Sequence, residues 1–122
     1  LTHQEIRREV IKILDGLPRR FRDALRNLEI VVEKRPSAEL LRAEGLDPLQ
    51  DTLYGLYQGV PLPERSQFDP PMLPDKITIF SEPLLANFHE VEALRAEIRL
   101  TVLHEIAHYF GMDEDELEDL GY

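Results

Sequence analysis

Cysteine is absent from the 122 residues, and so is tryptophan. Without a thiol there can be no disulfide framework, no iron–sulfur cluster and no cysteine-bound zinc. Any metal held by this chain must be held by His and carboxylate. Long apolar runs are missing as well: none approaches the roughly 20 residues a membrane helix needs. The opening LTHQEIRREVIKILDGLP is charged at every turn, unlike a signal peptide, so the expected location is the cytoplasm, with no membrane partner. Positive charge is scarce where it would matter for nucleic acid. Residues 1–50 carry ten Lys and Arg against nine Asp and Glu, whereas residues 51–122 carry four against fifteen, within a net charge of −10. Nucleic acid is not expected as a partner.

What is present fits one domain, expected over residues 1–122, because a chain of this length buries roughly two thirds of its unfolded surface. Thr2 and Glu5 have capping-box spacing, and Ile6, Val10, Ile13, Leu14 and Leu17 recur at helical intervals, which predicts a helix over about 3–15 with Gly16 as a left-handed stop. RRFRDALRNL predicts a second short helix whose basic outer face reads as a solvated surface. LEIVVEKRP alternates with period two and reads as a strand ended by Pro36. SAELLRAEG is a capped turn or two of helix closing at Gly45. TLYGLYQGV reads as a second strand, with Leu53, Gly55 and Tyr57 on one face, and KITIF as a third. Five prolines between Pro61 and Asp75 predict an irregular surface loop. Helix follows: a short piece from Ser81, then a long one from about His89 to Phe110 with Val91, Leu94, Ile98, Val102 and Ile106 in one stripe, ended by Gly111. Asp113 and Glu116 begin a last turn. Strands and helices in this arrangement make the fold α+β.

The long helix carries the chemistry, in HEIAHYFGMDE. His104 and His108 are four apart, so they face the same way about 6 Å apart along the axis and can converge on one divalent ion. Glu105 points about 100° away on the helical wheel, placed to take a proton from a metal-bound water rather than to share the ion. H-E-x-x-H late in a buried helix is specific in a way that a lone histidine is not. His3 and His89 have no such context and read as structural.

A catalytic zinc site with one position open to water needs a third protein ligand. Fourteen residues follow His108 in this sequence, so the ligand is expected just after Gly111, where a tight turn can bring the backbone round. Glu114 is the first choice. Asp113 is the alternative, its carboxylate being favoured as the cap of the last turn. Asp115, Glu116, Glu118 and Asp119 read as a solvated acidic tail. One and two turns before His104, Thr101 and Glu97 lie near the same meridian, where either could hold an imidazole by its second nitrogen or simply form the edge of the helix. Tyr109 and Tyr122 read as packing rather than as oxyanion donors.

TVLHEIAHYFGMDEDEL, LYGLYQGVPLPERS and KITIF, in order, are similar to the small bacterial zincin-like metallopeptidase family, first described as a domain of unknown function. The resemblance runs from LPRRF to the end, and its most specific part is H-E-x-x-H-x-x-G-x-x-D. It implies a minimal zincin-like fold, a small sheet of three or slightly more strands packed on the active-site helix, with His104 and His108 as metal ligands and Glu105 as acid/base. Where the family ends the motif in Asp, this chain has Glu114, a carboxylate one methylene longer, with Asp113 just before it. The expectation is a zinc-dependent peptidase acting on an extended peptide or protein substrate, zinc being replaceable by another first-row ion. The alternative is a metal-stabilised binding module or pseudoenzyme, since so short a chain has little wall for specificity pockets.

Overall fold

The computed structural model describes residues 1–25, 27–59 and 75–119, except for the side chains of Glu114, Leu117 and Glu118. The expected proline-rich loop lies outside the described residues apart from Asp75. The first helix, α1 (His3–Asp15), starts on the reciprocal cap: Thr2 Oγ1 accepts from the Glu5 N–H, and the Thr2 N–H donates to Glu5 Oε1, each at 3.2 Å. The Thr2 backbone bond, with its hydroxyl second, holds the Glu5 carboxyl below the ordinary carboxylate range. That contribution to stability is present above the unfolded-state pKa and is lost as pH falls through the lowered value.

One expectation for this helix is corrected. Gly16 is right-handed, at φ −82°, and Leu17 still donates to the Leu14 carbonyl. The chain continues in a helical sense so that Leu17 can be buried, and it is Pro18, with no N–H to give, that ends the run. α2 (Arg19–Ala24) buries no residue of its own. It leans Phe21 and Leu25 on the core, Phe21 meeting Phe110 edge-on at 5.4 Å, and leaves Arg19, Arg20 and Arg22 exposed.

Three strands follow, with a helix between the first two: β1 (Leu28–Glu33), α3 (Ala38–Ala43), β2 (Gly55–Gln58) and β3 (Asp75–Phe80). α3 is capped by Ser37 and closes as expected at Gly45, left-handed at φ 77°. The sheet order is β1-β3-β2, with β1 parallel and β2 antiparallel to the central β3. The register sets Ile30 beside Ile77, Val32 beside Ile79, and Tyr57 and Gly55 beside Ile77 and Ile79 from the other side. These residues therefore share one face. The second strand is shorter than the sequence suggests. Its ladder begins with the Phe80 N–H donating to the Tyr54 carbonyl at 2.8 Å and stops before Gly59, whose φ of 152° leaves the strand direction.

Over the apolar face lie α1 and the long helix α5 (Val91–Phe110), preceded by α4 (Ser81–Asn87) and followed by α6 (Glu114–Asp119). Ile6, Val10 and Ile13 of α1 meet Leu94, Ile98, Val102 and Ile106 of α5 and Ile77 and Ile79 of β3 in one core. Val91, expected on the same stripe, is exposed because it sits at the first turn, where the helix has not yet reached the sheet. Arg95 on α5 reaches Glu9 on α1 at 3.1 Å. His3 is structural, as read: its Nδ1 and Ser81 Oγ are 2.6 Å apart, with Ser81 also donating to the Glu33 carbonyl. No helix among the described residues is long and apolar enough to cross a membrane.

Ile98 is fully buried where α5 meets the sheet, and Ile11 is 55% exposed on the outer face of α1. Ile98→Ala is expected to lower unfolding free energy by about 2–5 kcal/mol, and Ile11→Ala by less than about 0.5 kcal/mol. Urea denaturation followed by circular dichroism measures both.

Candidate active site

The second half of α5 is enclosed on nearly all sides. Thr101, Val102, Leu103, Glu105, Ile106, Ala107 and Tyr109 are all buried, and between residues 101 and 109 only His104 and His108 reach the surface. Their side chains are 39% and 48% exposed, whereas that of Glu105 is 8% exposed. The two rings lie 4.5 Å apart between centroids, as the four-residue spacing requires. Gly111 ends the helix at φ 69°, its N–H donating to the His108 carbonyl and that of Met112 to the Ala107 carbonyl. This pair of bonds closes the helix immediately behind the second histidine.

Glu105 is held by the sheet. Its Oε1 accepts the Tyr57 N–H at 2.9 Å and lies 3.3 Å from His108 Nδ1, while Oε2 lies 3.9 Å from His104 Nε2. The Tyr57 amide is available because of strand register. Tyr54 bonds β3, so the alternation of an antiparallel ladder turns the backbone groups of Gly55 and Tyr57 away from β3, toward the side of β2 where no strand pairs among the described residues. A mostly buried carboxylate requires such donors. Tyr57 is fixed at its other end too: its hydroxyl donates to the buried Asp75 carboxylate at 2.5 Å, and its ring meets Tyr109 edge-on at 5.9 Å.

The close approach of β2 to α5 depends on Gly55. A Cβ there would stand 2.7 Å from Thr101 Cγ2, 3.2 Å from Ile79 Cδ1 and 3.4 Å from Glu105 Cγ. At the strand end Gly59 allows a close approach to β3, where a Cβ would collide with the Asp75 carboxyl. Between strand and helix runs a groove of about 250 Å³, with Tyr54 and Gly55 on the sheet side and Glu97, Leu100, Thr101, His104 and Glu105 on the helix side.

Among the other residues read from the sequence, Glu97 and Thr101 are both in this groove; they form its wall, and no hydrogen bond between either and His104 is seen among the described residues. Asp113 caps the final helix, its Oδ1 accepting the Glu116 N–H at 2.8 Å. Glu114 opens α6, and its side chain lies outside the described residues, as does Tyr122. Tyr109 is packing, as read, its hydroxyl donating to the Ala24 carbonyl at 3.0 Å. Sequence reasoning missed Tyr57, Gly55 and Asp75 as parts of the site. The glycine inside a strand was the one available signal, since such a glycine marks close approach of another element.

His104, Glu105 and His108 are the group of donors able to hold a metal ion among the described residues, their donor atoms all within 4.8 Å of one another. Two imidazoles and a carboxylate suit a borderline ion such as zinc, which takes nitrogen and oxygen ligands at about 2.0–2.2 Å. A small sheet edge against a helix bearing H-E-x-x-H defines a protein of the zincin class. The sequence model described as zincin-like metallopeptidase matches residues 25–122, and the chain belongs to that family. No curated protein matches it.

The Gly55 contact makes a coupled prediction. Gly55→Ala is expected to destabilise the protein by about 1–3 kcal/mol through overpacking. Adding Thr101→Ser, which removes the opposing Cγ2, is expected to restore part of that loss. Denaturation of the two single variants and the double variant measures the coupling, and strict additivity would show that strand and helix do not meet at this point.

Proposed function

We propose that the protein is a zinc-dependent peptidase in which His104 and His108 hold the metal and Glu105 is the acid/base. The observation that carries this reading is a buried carboxylate, fixed by an edge-strand amide, between the only two imidazoles that the active-site helix exposes in residues 101–109. The third ligand is Glu114, with Asp113 as alternative; the Asp113 carboxylate already caps α6, which supports the first choice. When bound, zinc supplies Lewis-acid polarisation of the scissile carbonyl and makes water nucleophilic near neutral pH. Another first-row ion would serve the same donor set.

Glu105 does the proton work. With Oε1 engaged by the Tyr57 N–H, Oε2 is the oxygen that takes the proton from the attacking water and hands it to the leaving amine. The Tyr57 bond keeps the carboxylate from swinging away between the two transfers. The substrate lies extended along β2, where the Gly55 N–H and C=O point away from β3 and are the groups that an added strand would pair.

Purified protein is expected to bind zinc at one equivalent, by elemental analysis, and to cleave members of a peptide library. Glu105→Gln is expected to retain the metal and to lose about 10²–10⁴ in rate. His104→Ala and His108→Ala should each lower zinc affinity by more than about 100-fold, since loss of a mere supporting partner already costs 10–100-fold. Equal hydrolysis by wild type and Glu105→Gln would refute the mechanism. Strong loss of thermal stability on chelation, with no hydrolysis by any form, would instead identify a metal-stabilised binding module.

A further inference from the structure

The groove beside the imidazoles continues along α5 toward the start of that helix, and its far end is acidic. Glu97 lies there, two turns before His104, partly buried. It forms no ion pair among the described residues, and the cations on its own helix are committed or averted. Arg95 is held by Glu9 and Glu92, while Arg99, two residues on, projects about 200° round the helix. Between Glu97 and the imidazoles the groove is lined by Leu100 and Thr101 on the helix and by Tyr54 and Gly55 on the sheet. Leu100 is 58% exposed on one side. Opposite it is the Tyr54 ring, held by Asn87, which donates to its hydroxyl at 2.9 Å, and by edge-on contact with Phe88 at 5.7 Å.

A carboxylate at the end of a groove walled by Leu100 and the Tyr54 ring matches one kind of side chain, an aliphatic stem that ends in a cation. The distance fits as well. Seven residues of helix place Glu97 roughly 10 Å from His104 along the axis, about three residues of extended peptide.

We propose that Glu97 makes this groove selective for peptides bearing Lys or Arg within about three residues of the scissile bond, on the side running toward the N-terminus of α5. The stem lies against Leu100 and Tyr54, and the cation pairs with Glu97. The proposal rests on the peptidase reading of the same site. The net charge of −10 favours the approach of cationic over anionic peptides.

Two measurements test it. Zinc-loaded protein is given a position-scanning peptide library with cut sites read by mass spectrometry, and labelled peptides are titrated onto the Glu105→Gln protein by fluorescence anisotropy. Lys or Arg is expected to be favoured over Gln at one position about three- to fivefold, the range of a partly exposed ion pair, through KM rather than kcat. The same preference should appear in binding and weaken with added salt. Glu97→Gln should abolish the preference and Glu97→Lys should turn it toward acidic residues. Cleavage without charge preference overturns the proposal and leaves the peptidase reading standing. Charge-selective binding without cleavage keeps the cation site and removes the peptidase reading, and peptides that neither bind nor react overturn both.

Discussion

The bond from the Tyr57 N–H to the Glu105 carboxylate organises this molecule. It joins β2 to α5 at 2.9 Å, and its acceptor is a carboxylate in a mostly buried position, where such bonds contribute about 1.5–3 kcal/mol. For the bond to form, β2 must approach α5 more closely than any side chain at residue 55 would allow, hence Gly55. The Tyr57 amide must also point out of the ladder, which the Tyr54–Phe80 pairing ensures. A shift of the helix by one residue, or of the strand by one register, would break the bond and leave a carboxylate buried without its donor.

Because helix and strand are fixed to each other here, exposure along α5 is allotted by position. Packing against α1, α2 and the sheet takes every site from 101 to 109 except the two that carry imidazoles. The two imidazoles are therefore the side chains that this stretch exposes, while the Glu105 carboxylate is withdrawn beneath them. Rigid support lies behind: Tyr57 on Asp75, Tyr109 on the Ala24 carbonyl, and the left-handed turn at Gly111 that stops the helix just past His108. Membership of the zincin-like metallopeptidase family over residues 25–122 accords with this arrangement, in which the three strands among the described residues pack against one long helix.

Features whose cause is local were legible in advance. The cap at Thr2 and Glu5, the closure at Gly45 and Gly111, and the Asp113 cap each depend on bonds within six residues, so the residue types announce them. The histidine pair belongs with these, since helical pitch alone brings positions 104 and 108 together. Gly16 was misread for the opposite reason: a glycine permits a left-handed turn without requiring one, and burial of Leu17 decided the matter. The length of β2 was overread because alternation continues past the point where β3 can pair with it.

The sequence by itself determined the grouping of His104, Glu105 and His108, the α+β pattern and the shared face of the two imidazoles, because each follows from residue type and helical or strand periodicity. Only tertiary structure decided which group restrains Glu105, why residue 55 has no side chain, and that Glu97 lines one groove with Tyr54, His104 and Glu105. Those outcomes depend on backbone groups and on residues 40 or more apart in the chain, which meet only when the strand edge is laid against the helix.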